Sequence, residues 1–232
     1  PFFHWVLEDH FRLGRALYEQ ARVQVVAVVA PYEKMKLRLL NASHQGLCYF
    51  AHLEGYELVH EATLDPVAAE FLRRYMDEEG TPTLDPLPGV DLEAYKSELI
   101  SRFQNREVRD TVPRLCAESS ERIPKWLLPV VHDLLAQGKK VDLSAAIVAS
   151  WARYAEGVDE QGNPIVVVDP LRDELVPIAQ SQLEDPTAFI ANRALFGDLV
   201  DVPEFREPYL ATLAKLHADG ARATQEWLIS QP

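Results

Sequence analysis

A lysine, an asparagine and a histidine lie close together in the segment KMKLRLLNASHQGLCYF, residues 34–50. On a helical wheel with Lys36 at zero, His44 lies near roughly 80°, Asn41 near roughly 140° and Glu33 near roughly 60°. Four apolar residues fall on the same arc, namely Leu37, Leu40, Leu47 and Cys48. The opposite side carries Arg38, Ala42 and Gln45. The spacing therefore predicts that these polar side chains point toward the interior together with the apolar ones.

These residue types suit proton transfer to or from an alcohol oxygen. Burial disfavours the ammonium form of a lysine, so Lys36 could act as a base near neutral pH. Asn41 offers a donor and an acceptor, His44 can orient the same oxygen, and Glu33 could relay a proton from Lys36 to water. A structural explanation stays open on this geometry. Lys36 could extend its amine to solvent, Asn41 could bond the backbone, and His44 could be a satisfied core residue.

Composition excludes several classes of function. The chain of 232 residues is 47% apolar and 25% charged, as in globular domains, and its net charge of −13 argues against binding nucleic acid or an anionic membrane. The sequence contains no run of 18 apolar residues, so no membrane span is expected. Cys48 and Cys116 form no metal-type spacing, and we expect two buried thiols in a reducing cytoplasm. The equally spaced His44, His52 and His60 lack a carboxylate or cysteine set to complete a zinc site, so no metal is expected.

Helical periodicity dominates the chain. We expect strands at 2–8 and 23–29, and a third, minor strand at 166–169. The proline-rich segment 81–91 is expected to be a rigid extended connector. Helices are predicted at about 32–53, 66–78, 91–102, 106–118, 123–137, 141–155, 170–183, 186–195 and 203–230.

Aspartates mark several of the predicted helix starts. Asp65, Asp169 and Asp185 each precede a proline, which is the usual order of an N-cap and the first helical residue. Asp91 and Asp142 are expected to cap the helices that follow them. The acidic stretch 77–79 is expected to be a solvated face. The tryptophans are expected to belong to the core rather than to a cofactor site, namely Trp5, Trp126, Trp151 and Trp227.

The predicted fold class is mainly α, with a short β segment at the beginning. The chain begins at Pro1 in strand-like sequence, and two strands do not form a stable sheet alone. Either they pack on the helices or they complete a sheet formed by sequence that is not in this chain. We favour the second alternative.

The spacing Lys36-x4-Asn41-x2-His44 resembles the motif of the mannitol dehydrogenase family, the polyol-specific long-chain dehydrogenases. The resemblance extends over essentially the whole chain. It is carried by the stretches PYEKMKLRLLNASHQ, GYELVHEATLDP, YMDEEGTPTLDPLPGVDLEAYK, RIPKWLLP and FGDL. The similarity is to the C-terminal half of that family.

The resemblance implies a multi-helical substrate domain similar to the C-terminal domain of 6-phosphogluconate dehydrogenase. It implies that 31–232 form this domain, and that 1–30 are junction strands belonging to or covering an N-terminal Rossmann domain for NAD, with NADP not excluded. The chain contains no G-x-G-x-x-G, so no residue of it is expected to bind the cofactor. Without its nucleotide domain, the chain alone is expected to be inactive.

The resemblance also implies roles for individual residues. Lys36 would be the general base in polyol oxidation and the general acid in ketose reduction, without zinc. Asn41 and His44 would hold the reactive oxygen, and Glu33 would be the proton gate. Arg114 and Arg122 would bind distal hydroxyls, although relatives have an Asp-Gly-Ser turn where this chain has Glu-Ser-Ser at 118–120.

Several functions remain as alternatives at this stage. Interconversion of mannitol and fructose is the first expectation, with arabinitol or sorbitol as further substrates. Uronate-acting relatives (fructuronate and tagaturonate reductases) and mannitol 1-phosphate dehydrogenases are the next candidates. The stretch VHEA, in which His60 is expected to be structural, and the TPTLDP connector resemble the enzymes that act on free polyols. A non-catalytic helical binding domain is the alternative of another class.

Overall fold

The computed structural model describes residues 5–231, most of which are helical. The α-helices of this part are α1 (Ala30–Met35), α2 (Ala42–Leu53), α3 (Val59–Leu64), α4 (Pro66–Arg74), α5 (Leu92–Phe103), α6 (Val112–Cys116), α7 (Ser119–Trp126), α8 (Leu128–Ala136), α9 (Asp142–Ala155), α10 (Arg172–Gln180), α11 (Arg193–Phe196) and α12 (Pro203–Ser230). Short 3₁₀ turns lie at Tyr18–Ala21, Thr81–Thr83, Ser181–Leu183 and Leu199–Asp201. The predicted mainly α fold class is confirmed.

Two short strands precede the helices. β1 (Val6–Glu8) and β2 (Gln24–Val26) pair in parallel, with Val6 opposite Gln24. Both are shorter than predicted, and residues 2–4 of the first prediction lie outside the described residues. The Tyr32 hydroxyl links the strands to the helices because it accepts from the Gln24 amide at 3.2 Å and donates to the Pro88 carbonyl at 3.1 Å.

The core is centred on α9 and α2, which are buried on nearly every side. A helix that is apolar all round must be surrounded by other elements, and α9 packs along α12 and against α2. Trp151 of α9 lies between Tyr49 and two aromatic rings of the 189–196 region, Phe189 and Phe196. No helix within residues 5–231 combines the length and apolar character that a membrane span requires.

Two helix starts at which an aspartate side chain caps the first turn were predicted correctly. Asp65 accepts from the Val67 amide at 2.9 Å, and Asp91 accepts from the Ala94 amide at 3.0 Å. Asp169 does more than cap, since it accepts from the Leu171 amide and also from the backbone and hydroxyl of Ser120. The last contact joins the start of the α10 region to α7.

Other local predictions were wrong where a tertiary contact decides the conformation. The segment 166–169 is not a strand; its Val168 carbonyl accepts from the Glu118 amide at 2.9 Å. The predicted helix 106–118 starts only at α6, and Glu118 then has a φ of 59°, which separates α6 from α7. Most of 186–195 forms turns, and α3 was not predicted.

Two π-helical segments interrupt long helices. The first π segment (Lys36–Asn41) joins α1 to α2, and the second π segment (Tyr75–Gly80) extends α4. They pack against each other because Gly80 has no side chain: a Cβ there would lie 2.8 Å from Leu39 Cδ2. The Tyr75 hydroxyl donates to the Arg38 carbonyl at 3.1 Å and fixes the contact.

The prediction that the acidic stretch 77–79 is a solvated face holds for Glu78, which is exposed, but is wrong for Glu79. Glu79 is only 3% exposed, and from the second π segment it caps the N-terminus of α9. Its carboxylate accepts from the Leu143 amide at 2.7 Å, the Ser144 amide at 2.8 Å and the Ser144 hydroxyl. Burial raises the pKa of Glu79 to about 7. Glu79 therefore takes the capping role expected of Asp142, which is the first residue of the helix.

Candidate active site

The first π segment carries Lys36 at its beginning and Asn41 at its end, and His44 follows in the first turn of α2. The predicted orientation of this row is wrong in one respect. Lys36 and Glu33 are exposed, whereas Asn41 and His44 are half-buried. Within residues 5–231, neither Lys36 nor Glu33 has a side-chain hydrogen bond or ion pair. The burial that we expected around Lys36 is thus not provided by the described residues.

The side of the helix opposite to this row is the one that is buried. Arg38, Ala42 and Gln45 are all inaccessible or nearly so. The Arg38 guanidinium is paired with Asp133 at 2.6 Å and donates to the Thr83 carbonyl at 3.0 Å. A π turn closes i→i+5 bonds and so contains more residues than an α turn, which makes a wheel of 100° per residue inaccurate here.

Asn41 has an unusual hydrogen-bonding state. Its Oδ1 is buried and has no partner among the described residues. A buried acceptor without a donor costs about 1–3 kcal/mol, so such an atom marks a position where a partner is expected. A ligand hydroxyl is a suitable donor for an amide oxygen.

His44 follows Asn41 by three residues on the same continuous helix, and it is held as a neutral imidazole. Its ring packs on Phe103, with centroids 4.9 Å apart and an interplanar angle of 42°. Burial lowers the pKa of His44 to about 4; Asp110 opposes the shift, and three nearby arginines add to it. A neutral ring has one donor and one acceptor nitrogen, so at neutral pH His44 can either donate a hydrogen bond to a hydroxyl or accept one from it.

A cleft of about 510 Å³ opens beside His44. One wall comes from the α2 side and α3, and the other from α5 and the loop that follows it. The lining residues are Leu40, His44, Val59, His60, Glu98, Ser101, Arg102, Phe103, Asn105, Val108 and Asp110. Most of these side chains are polar, so the cleft offers several hydrogen-bonding groups to a ligand.

Arg114 reaches the region of the cleft through Asp110. Its Nε donates to Asp110 Oδ1 at 2.6 Å and its Nη2 to Oδ2, and its side chain is 60% exposed. The ion pair lowers the pKa of Asp110. Arg114 is therefore oriented beside the cleft and keeps part of its guanidinium accessible.

Arg122 is engaged more completely by its own surroundings. It donates to the Arg114 and Leu115 carbonyls at 3.3 and 3.0 Å, pairs with Glu118 at 3.1 Å and lies 5.5 Å above the Trp126 ring. These contacts hold the C-terminal end of α6. Only 18% of the Arg122 side chain is exposed, so it is less accessible than Arg114 to a ligand in the cleft.

The described residues contain no group of three or more His, Cys, Asp or Glu side chains that could hold a metal ion. His52 lies edge-on to Tyr154 and lines a different cavity from His44 and His60. Cys48 and Cys116 are buried and free, and burial raises the pKa of the Cys116 thiol.

Of the residues that line the cleft, sequence analysis proposed only His44 as part of a site. Asp110 was not singled out, although its spacing of four residues from Arg114 was available as a signal. His60 was expected to be structural, yet it lines the cleft. No spacing in the sequence shows that α3 and the end of α5 face each other, because that depends on tertiary packing.

Comparison with known proteins gives a consistent family. The sequence model of the mannitol dehydrogenase C-terminal domain matches residues 28–217. A mannitol dehydrogenase of Saccharomyces cerevisiae is 38% identical over 233 residues, which is 100% of this chain and 46% of that protein. A mannitol 2-dehydrogenase of Aspergillus fumigatus is 39% identical over 201 residues, covering 85% of this chain and 40% of that protein.

Solved structures agree with the sequence comparison. The mannitol 2-dehydrogenase of Pseudomonas fluorescens, in a ternary complex with NAD and D-mannitol, matches with a TM-score of 0.92 and 37% identity over 100% of this chain and 47% of that one. A D-sorbitol dehydrogenase in substrate-free form gives 0.89 and 29% identity, covering 96% of this chain and 46% of that one. The chain spans less than half the length of these relatives.

Proposed function

The chain belongs to the mannitol dehydrogenase family through its C-terminal domain, and on that basis we propose that it is the catalytic, substrate-binding part of an NAD-dependent polyol dehydrogenase. The reaction would interconvert a linear polyol and its ketose, with mannitol and fructose as the first pair to test. The observation that carries the proposal is Asn41 Oδ1, a buried acceptor that has no partner in the described part of the chain and that lies between Lys36 and His44 on one helix.

Each residue of the row has a role in this proposal. Lys36 takes the proton of the reacting hydroxyl in oxidation and returns it to the oxygen in ketose reduction. Asn41 and the neutral His44 hold that oxygen, and Glu33, exposed one turn before Lys36, passes the proton to solvent. NAD, when bound, supplies the acceptor for the hydride that leaves the carbinol carbon.

The residues present fit the substrate end of such a reaction and not the dinucleotide end. The chain has no G-x-G-x-x-G, so we propose that a Rossmann domain in the remaining length of the protein binds NAD. Residues 1–30 would form its junction with the helical domain of 31–232. Such a domain would cover the exposed side of Lys36 and disfavour its ammonium form, which an open surface does not do.

The direct test is the protein expressed from its complete reading frame. NADH absorbance is followed with mannitol, arabinitol, sorbitol, mannonate and mannitol 1-phosphate at alkaline pH. Reduction of NAD with a free polyol is the expected result. Reduction only with mannonate or only with the phosphate ester would assign the uronate or phosphate branch instead. Inactivity with the whole panel, in protein shown to bind NADH, would favour a non-catalytic binding domain.

A further inference from the structure

His60, which lines the cleft beside His44, has a buried ring nitrogen without a hydrogen-bond partner among the described residues. Among residues 5–231, six buried side-chain nitrogen or oxygen atoms lack a hydrogen bond, and one of them is His60 Nδ1. His60 itself is half-buried and lines the cleft with His44. Rotating the imidazole by 180° about its Cβ–Cγ bond exchanges Nδ1 and Cδ2 within nearly the same shape. The ring therefore has hydrogen-bonding capacity that the described residues leave unused.

The backbone holds His60 rigidly opposite Asp110. The Val59 amide donates to the Asp110 carbonyl at 2.9 Å, and the Val112 amide donates to the Glu57 carbonyl at 2.9 Å. These bonds tie the beginning of α3 to the segment that precedes α6. A residue fixed in this way can determine specificity because its position changes little when a ligand binds.

The cleft carries charges of both signs, and the Glu98 carboxylate is the one that would oppose an anionic ligand. Its acidic lining residues are Glu98 and Asp110, and its basic lining residue is Arg102. Both carboxylate oxygens of Asp110 already engage Arg114. Glu98 has no ion pair or side-chain hydrogen bond among the described residues. An incoming phosphate or carboxylate would meet the Glu98 carboxylate, whereas a hydroxyl could donate to it.

We propose that this cleft binds the distal end of the substrate, with His60 bound to a distal hydroxyl and Glu98 excluding an anionic end. The inference rests on the proposed function and specifies its substrate class: an unphosphorylated, uncharged polyol long enough to reach from the Lys36–His44 row into the cleft. It assigns no catalytic step to His60 or Glu98.

The test compares substrates within each variant of the protein from the complete reading frame. For His60→Phe, kcat/KM is measured with mannitol and with threitol, a polyol that is too short to fill the cleft. Loss of one hydrogen bond should lower the value for mannitol by about 3- to 10-fold and leave threitol within 2-fold. An equal effect on both substrates, or none on mannitol, would overturn the role of His60.

A conservative variant protects this test against misfolding. His60→Asn keeps a hydrogen-bonding side chain and should retain part of the preference for mannitol over threitol. Its thermal midpoint is measured with that of His60→Phe. If His60→Phe does not fold, His60→Leu takes its place in the same comparison, and an equal effect on mannitol and threitol would contradict the proposal.

Glu98 is tested by a change of charge alone. In Glu98→Gln, kcat/KM for mannitol 1-phosphate relative to mannitol should rise by about 3- to 10-fold, because the repulsive carboxylate is gone. Glu107→Gln makes the same change of charge on a nearby exposed residue that does not line the cleft, and should leave the ratio unchanged. Equal ratios in the two variants would reject the role of Glu98. If the wild-type protein oxidises no polyol, the proposed function itself fails and this inference fails with it.

Discussion

The two π segments lie against each other but satisfy their polar side chains in different ways. In the second, Glu79 is buried and accepts three hydrogen bonds from the start of α9. In the first, Lys36 is exposed and Asn41 has a buried oxygen, and neither has a hydrogen-bonding partner within residues 5–231. A π turn is often found at functional sites. Here the geometry alone does not decide function; the unsatisfied groups identify the segment that awaits a ligand.

The difference between the two segments also shows where this fold can stabilise a buried charge. The N-terminal start of α9 compensates the buried Glu79 carboxylate because its free amides and the helix dipole both favour an anion. No such group faces Lys36 in the described part of the chain. We therefore expect changes in the first π segment to affect turnover and changes in the second to affect stability.

The largest effect is expected for Lys36→Ala. Removal of the proposed general base should lower kcat by at least about 10²- to 10⁴-fold, measured by NADH absorbance with the complete protein. The thermal midpoint should hardly change, because the side chain is exposed and unpaired. Lys34→Ala is the matched control: it removes a lysine paired with Asp85 at 3.1 Å and should leave kcat within a few-fold. An unchanged rate in Lys36→Ala would refute its catalytic role.

The opposite pattern is expected for Glu79→Ala. The change leaves two amides and a hydroxyl of α9 without their acceptor, which should lower the free energy of unfolding by about 3 kcal/mol in urea titrations. Glu78→Ala serves as the control, since this exposed neighbour forms only a surface pair with Arg74 and should cost less than about 1 kcal/mol. Similar losses in both variants would mean that burial of Glu79 does not matter.

The contact between the π segments is tested by Gly80→Ala. The new methyl group would approach Leu39 Cδ2 to 2.8 Å and should destabilise the fold by about 2 kcal/mol through overpacking. Because Leu39 lies in the first π segment, kcat should fall as well. The double variant Gly80→Ala/Leu39→Val should recover part of both losses. Full additivity of the two changes would show that the segments are not coupled.

The two regions should also show a pH dependence of stability of opposite sign. Glu79 has its pKa raised from 4.5 to about 7, so the folded state binds more protons between these values and its contribution to stability is lost as the pH rises through them. His44 has its pKa lowered from 6.5 to about 4, so its contribution is lost as the pH falls through that interval. Each slope is on the order of 1 kcal/mol per pH unit at most.

Two variants separate these contributions in urea titrations between pH 4 and pH 8. The difference in unfolding free energy between wild type and Glu79→Gln should decrease as the pH rises. The difference in unfolding free energy between wild type and His44→Gln should increase as the pH rises through the acidic half of the range. A difference that stays flat with pH in either variant would show that the corresponding pKa is not shifted by folding.

Some features of the site could be predicted because they depend on residues near each other in the sequence. The caps formed by Asp65 and Asp91 act over two or three residues, and their predictions are confirmed. Placing Lys36, Asn41 and His44 on one continuous helix also needs only local periodicity. The positions of α3 and of the turns at 186–191 depend on distant contacts, and local patterns did not predict them.

Composition, motif spacing and resemblance thus determined the mainly α fold, the family and the row of residues proposed for catalysis. Only the tertiary structure decided which side of that helix is covered. Arg38 is buried because Asp133, from a helix 95 positions away in the sequence, neutralises it, and Glu79 is buried because α9 offers it free amides. Both depend on groups that folding brings together. The same holds for the cleft between α3 and α5, in which His60 faces the position proposed for the substrate.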